Sequence, residues 1–232
     1  MFLAILKRVL ITALLLILGL ATPALADQTE ISTYRRARDL FWEVLYPSGA
    51  ISLYCGQAVP ANPDSDDFNI EHIYPRSWMK EAAGCLGESV RDCRQSNQRF
   101  RFMESDLHNL YPAETPKNSE RSSKVFSILP GNSEDPDCDF ESTNDAVEPL
   151  PASRGNIARA IFYMNQEYGA DIAPPNGPSI EPLLQAWHCS DPVDSEERRR
   201  NDVIEQLQGT RNPFIDDPTL IECGAVSVFP ND

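Results

Sequence analysis

All six cysteines of the chain, Cys55, Cys85, Cys93, Cys138, Cys189 and Cys223, lie downstream of a stretch that reads as an export leader. Lys7 and Arg8 supply a positive start, residues 9–20 are almost entirely apolar, and Ala24-Leu25-Ala26 forms a small-x-small cleavage motif before Asp27. The rival reading is a membrane anchor, for which the apolar run is marginally short. Thr22-Pro23 and the cleavage motif favour removal. Residues 1–26 are therefore expected to be a signal peptide and residues 27–232 one domain, periplasmic or secreted. No second apolar run of membrane length follows, so no membrane association is expected after cleavage. An even cysteine count in an exported chain predicts a disulfide framework, for which fifteen pairings are open. Cys85 and Cys93 are close enough to bridge a short loop; the others stay unassigned. Without a C-x-x-C spacing, a zinc ribbon or thioredoxin-like motif is not expected.

The hydrophobic pattern predicts a mainly helical α+β domain. Leu40, Phe41, Val44 and Leu45 fit an amphipathic helix capped by Ser32 or Thr33 and ended near Pro47. Residues 51–55 alternate like a short strand, and residues 60–67 are rich in turn formers. Residues 68–74 alternate weakly and read as a strand ending before Pro75. Residues 127–149 predict a long surface excursion with a hairpin around Cys138-Asp139-Phe140. Three further helices are predicted over 155–168, 181–188 and 196–208, the first with Ile157, Ala160, Ile161, Met164 and Tyr168 on one face.

Charge works against any polyanionic partner. The chain carries 35 acidic against 20 basic residues, and loss of Lys7 and Arg8 leaves 35 against 18. Screening limits that repulsion to about 8 Å at physiological salt, so the local field at a site decides binding. That field is uneven: residues 76–101 are locally basic, whereas residues 132–148 carry seven acidic residues and no basic one.

Of the three histidines, two stand in settings rich in oxygen ligands: Asn69-Ile70-Glu71-His72-Ile73-Tyr74-Pro75, and Glu104-Ser105-Asp106-Leu107-His108-Asn109-Leu110. Each is ordinary alone. Together they supply a base that works near neutral pH and hard oxygen donors for a divalent cation, the inventory that phosphodiester hydrolysis requires. Mg²⁺ takes one or two protein oxygens and keeps its waters, and Glu71 with the amide oxygen of Asn109 would make such a sparse site. On a regular strand Glu71 and His72 point to opposite faces, so both reach one cleft only where the backbone bends.

These residues, in order, resemble the bacterial endonuclease I family of periplasmic and secreted nucleases. The resemblance rests on residues 71–75, residues 103–110, Asn118-x-x-Arg121, Ile157-Ala158-Arg159-Ala160 with Tyr163-Met164, and residues 208–214, and it covers nearly all of the chain after the leader. It implies a ββα-metal (His-Me finger) core in which a strand and hairpin present the histidine and a helix the metal-binding asparagine. By motif, His72 would be the general base, and Glu71 and Asn109 would ligate Mg²⁺, with Ca²⁺ or Mn²⁺ as alternatives. Arg91, two residues before Cys93, would steady the phosphate, with Arg94 as rival. Asn118 and Arg121 would contact substrate, although Ser122-Ser123 follow here where the family often has Ser-Asn. The resemblance implies cleavage of DNA, with RNA open as a second substrate, at little sequence preference and with 5′-phosphate ends; a monomer is expected.

The remaining candidates have bland readings. His108 neighbours Asn109 about 100° away on a helix and is expected to pack or hydrogen-bond, and His188 is expected to be structural. Asp135, Asp137, Asp139 and Glu141 lack an EF-hand glycine and spacing and read as solvated surface. Arg198-Arg199-Arg200 could touch phosphate or pair along a helix, and residues 211–214 are expected to lock the chain terminus onto the core. Two competing functions stand beside the nuclease: a ribonuclease of the same fold, and a non-catalytic disulfide-held binding protein.

Overall fold

A computed structural model describes residues 28–224 except Asn132 and Glu134. The proposed leader therefore lies outside the described residues. Among the described residues no helix is long and apolar enough to cross a membrane.

The chain opens with α1 (Tyr34–Leu40), whose N-terminus is capped by Thr33: its Oγ1 accepts the Arg36 N–H. The helix continues as a π-helical turn over Phe41–Leu45. Leu40, Phe41 and Leu45 are buried as predicted, but this wide turn leaves Val44 42% exposed. The strand expected over 51–55 shrinks to β1 (Ala50–Ile51), paired with β2 (Ala58–Val59). Ser52 and Leu53 turn inward while Ile51 stays exposed.

β3 (Phe68–His72) ends at the predicted histidine, and three short helices follow: α2 (Arg76–Ala82), α3 (Val90–Ser96) and α4 (Gln98–Ser105). A 3₁₀ turn over Leu107–Asn109 leads into β4 (Leu110–Glu114), which pairs antiparallel with β3 so that Glu71 faces Tyr111 and His72 faces Leu110. α5 (Thr115–Arg121) follows at once. The two strands are thus joined by the α2–α4 excursion and not by a tight hairpin. Asn109 stands on the 3₁₀ turn, not on an α-helix.

β5 (Val125–Phe126), β6 (Glu141–Ser142) and β7 (Ala146–Glu148) form a third sheet in the order β5-β7-β6. The hairpin predicted around Cys138–Phe140 instead turns between β6 and β7, because Cys138 and Phe140 are buried in the core. α6 (Arg154–Tyr168) is the central helix. Its predicted face is buried, and so are Ala158, Phe162 and Tyr163 on its other sides, as expected of a helix surrounded by other elements. α7 (Glu181–Ser190) packs on it. α8 (Ser195–Gln208) starts with a capping box between Asp194 and Glu197 and stops at Gly209 with φ +78°. The short α9 (Pro213–Asp216) is capped by Asn212, whose Nδ2 also donates to Arg159 O, so residues 211–214 fasten this end of the domain as expected.

The disulfides are Cys55–Cys138, Cys85–Cys93 and Cys189–Cys223. The second is the short loop expected from sequence. Loop entropy assigns it about 2.5 kcal/mol and the 83-residue closure of Cys55–Cys138 about 4.5 kcal/mol.

Candidate active site

β3 ends on Glu71 and His72, and both residues line one cleft of about 770 Å³. Consecutive residues of β3 reach this cleft, since residues 69–72 all line it. The cleft is also lined by Tyr34, Asn69, Arg76, Arg91, Arg94 and Asn118.

His72 is 6% exposed, and its Nε2 lies 2.9 Å from the Glu104 carbonyl oxygen. A carbonyl can only accept, so Nε2 carries hydrogen and the neutral ring keeps Nδ1 unprotonated. Burial lowers the pKa of His72 to about 3; the Glu104 carbonyl opposes that shift, while Arg76, Arg121 and Arg94 add to it. The imidazole is therefore uncharged at neutral pH.

Glu71 is 2% exposed. Its Oε1 accepts from the Tyr54 hydroxyl at 2.7 Å and from Arg121 Nη1 at 2.8 Å, and among the described residues its Oε2 receives no side-chain donor. Burial raises the Glu71 pKa, and Arg121 is the largest influence opposing that rise. Tyr54 is held well above the usual phenol range by burial and by Glu71, so it stays a donor.

The structure revises two of the sequence-based expectations. Asn109, expected as a metal ligand, is fully buried and does not line the cleft. Its Oδ1 accepts the Tyr74 N–H at 2.7 Å and its Nδ2 donates to the Tyr74 carbonyl at 3.1 Å, so both amide atoms are spent on the turn after β3. Arg121, expected to contact substrate, is 0% exposed: it holds Glu71, donates to His72 O and Ile73 O, and lies 4.7 Å from the Phe126 ring centre. It positions the end of β3. Asn118, on α5, does line the cleft; its Nδ2 donates to Asn69 Oδ1 at 2.7 Å and Ile70 O at 3.3 Å, which leaves Oδ1 as its uncommitted acceptor.

Arg91 is exposed on α3 at the cleft and makes no hydrogen bond or ion pair among the described residues. Its rival Arg94 is engaged by Glu104 through Nε at 2.6 Å and through Nη2. Arg76 Nη1 lies 3.8 Å from the same carboxylate. Glu104 thus holds His72 through its backbone and a guanidinium wall through its side chain. Tyr34, Tyr54, Asn69, Arg76 and Glu104 carry no role assigned from sequence; Asn69 and Glu104 open the two histidine motifs, but their roles depend on partners distant in the chain.

Motif residues that do not reach the cleft form a buried network beside it. Asp106 accepts from Tyr163 and Tyr168 hydroxyls and from Gln208 Nε2, while His108 Nε2 meets the Thr210 carbonyl at 3.1 Å. His108 is therefore structural, as is His188, whose Nε2 meets Pro218 O. Arg200 is buried over the Tyr111 ring, which removes the phosphate reading for that residue; Arg199 pairs with Glu196 along the helix, and the exposed Arg198 donates to Asp194 O. Among the described residues no cluster of three or more His, Cys, Asp or Glu is gathered for a metal.

A family model described as Endonuclease I matches residues 43–219, a span that contains both strands of the site and α5. The chain belongs to the endonuclease I family. It is 32% identical over 230 residues to an "Extracellular deoxyribonuclease" of Aeromonas hydrophila, covering 88% of this chain and 96% of that one. It is 38% identical over 181 residues to an "Extracellular ribonuclease" of Bacillus amyloliquefaciens, covering 68% of this chain and 61% of the relative. A "Periplasmic deoxyribonuclease" of Aeromonas hydrophila is 34% identical over 63% of this chain and 62% of its own.

Proposed function

We propose that this endonuclease I family member is an exported, divalent-metal-dependent endonuclease, acting in the periplasm or outside the cell. It hydrolyses DNA, and RNA as a second substrate, with little sequence preference, leaving 5′-phosphate ends. The observation that carries this reading is the meeting in one cleft of a neutral imidazole, an amide oxygen and, among the described residues, a carboxylate with one oxygen free of side-chain donors and an unpaired guanidinium.

The antiparallel β3–β4 pair followed by α5 is read as the ββα-metal core. A Mg²⁺-type ion, with Ca²⁺ or Mn²⁺ as alternatives, fits Glu71 Oε2 and Asn118 Oδ1, since such ions take oxygen donors and retain waters for substrate exchange. When bound it supplies charge stabilisation at the phosphate and at the leaving oxygen. His72 Nδ1 takes the proton of the attacking water, while the Glu104 carbonyl fixes the tautomer and steadies the imidazolium that forms. Arg121 and Tyr54 oppose the burial-driven rise in the Glu71 pKa and aim its carboxylate. Arg91 binds a non-bridging phosphate oxygen from the cleft edge.

The deoxyribonuclease and ribonuclease names of the relatives support a cleft that reads backbone phosphate and not the 2′-hydroxyl. A plasmid-nicking assay on the protein without residues 1–26 tests the reading. His72→Ala is expected to stay folded and lose cleavage, and EDTA to stop the parent protein until Mg²⁺ is restored. Near-parental turnover of His72→Ala, or full activity in chelator, refutes it.

A further inference from the structure

Tyr34 opens α1 ahead of residue 43, where the family match begins, yet its side chain lines the cleft. Its ring centre lies 5.0 Å from that of His72, with the planes at 43°. The position is well anchored. Thr33 caps the helix, and the buried Gln28 binds Ile31 N at 2.7 Å, Ile31 O at 3.0 Å and Phe102 O at 3.3 Å, tying the approach to α1 onto α4. Ala37 and Leu40 pack in the same small core as Ile70 of β3, Leu107 of the 3₁₀ turn and Leu110 of β4.

The hydroxyl is uncommitted. Among the described residues it makes no hydrogen bond, and it is not one of the buried polar atoms left without a partner, so it reaches solvent in the cleft. Burial of the ring raises its pKa, with Arg76 opposing, which favours the neutral, hydrogen-donating hydroxyl. Arg76, Arg91 and Arg94 line the same cleft, which makes phosphate oxygen the acceptor that this donor meets in a bound strand.

We propose that Tyr34 is a substrate-contacting residue, donating its hydroxyl to a phosphate oxygen of the nucleic-acid strand while its ring packs against His72. The inference rests on the nuclease reading above and extends the site to a helix outside the matched family span.

The test uses the full chain without residues 1–26, a fluorescein-labelled 16-base-pair duplex in EDTA for binding by anisotropy, and nicking with Mg²⁺ for turnover. Tyr34→Phe removes only the hydroxyl. It is expected to raise Kd about ten-fold, roughly 1.4 kcal/mol, with the thermal midpoint unchanged. Because no charge is lost, the slope of log Kd against log salt stays as in the parent, whereas Arg91→Ala lowers it by about one. Parental Kd in Tyr34→Phe overturns the inference, as does a weaker Kd accompanied by a lower thermal midpoint. His72→Ala run alongside separates the two layers: if it cleaves, the nuclease assignment of the cleft fails; if it is inert while Tyr34→Phe matches the parent, only the Tyr34 contact fails.

Discussion

Asn109 and Asn118 offer the sharpest separation of structure from function in this site. Replacing Asn109 by Ala strands the N–H and carbonyl of Tyr74, itself 2% exposed, both satisfied by that one amide at 2.7 and 3.1 Å. Each buried unmet group costs about 1–3 kcal/mol, so the pair costs about 2–6 kcal/mol, a large share of an ordinary domain's stability. Asn118→Ala gives up one 2.7 Å bond to Asn69 and a longer one to Ile70 at a half-buried position, about 1–2 kcal/mol at most. Its effect falls on the cation instead. If the amide oxygen contributes about 3 kcal/mol of charge stabilisation through the ion, nicking at limiting Mg²⁺ drops about 150-fold. Urea unfolding with an unchanged slope reads the first effect, and a Mg²⁺ titration of plasmid nicking reads the second. The reasoning is refuted if Asn109→Ala keeps its urea midpoint but loses cleavage at every Mg²⁺ concentration, or if Asn118→Ala keeps the parental Mg²⁺ dependence.

Two further perturbations follow from the buried charges. Arg121→Met leaves the Glu71 carboxylate buried without its partner, so stability should fall by about 3–5 kcal/mol and the acid limb of nicking should move to higher pH as the already raised Glu71 pKa climbs; an unmoved urea midpoint and pH profile would contradict this. His108 has its pKa lowered to about 3 by burial, so the unfolded chain takes up its proton near pH 6.5 while the folded one does not. The His108 contribution is thus fully present above pH 6.5 and is lost on acidification toward pH 3, at about 1.4 kcal/mol per pH unit. His108→Gln should therefore lose about 2 kcal/mol less than the parent between pH 7 and pH 5 in urea titrations; an identical pH dependence rejects the assignment.

Features set by neighbouring residues were legible in the sequence, and features set by distant partners were not. The Thr33 cap, the cysteine pair eight apart, the end of β3 before Pro75 and the helices over 154–168 and 195–208 all depend on residues a turn or a loop away. The α2–α4 excursion escaped because its helices are seven or eight residues long and too short to show a clear apolar period. The Cys55–Cys138 bridge spans 83 residues and no local pattern selects it. At the site, the Glu71-His72 motif located the cleft, but the part of each asparagine depends on where its amide finds partners: Asn109 turns to Tyr74 and Asn118 to Asn69. Arg121, expected to contact substrate, is instead the buried counter-charge of Glu71. That information lies in contacts between residues 35 to 50 apart in the chain.

The same contacts explain how so acidic a chain can present a cleft to a polyanion. Arg121 and Arg159 are fully buried against Glu71 and Glu197, Arg154 pairs with Glu148, and Arg211 is shared among Asp202, Glu205 and Asp216, so many cations are used inside the protein's own network. The residues lining the cleft are differently balanced: Arg76, Arg91 and Arg94 against the single acidic residue Glu71, with none drawn from the acidic stretch 132–148. Glu104 sits behind that wall at 1% side-chain exposure, where it fixes Arg94 and still leaves both Arg76 and Arg94 more than a third exposed. A phosphate within a Debye length of the cleft meets mainly guanidinium groups, and the surplus of carboxylates elsewhere is screened. Keeping His72 uncharged belongs to the same design: a cationic imidazole would attract phosphate but could not take a proton, so the positive field must come from the arginines and the basicity from the buried ring.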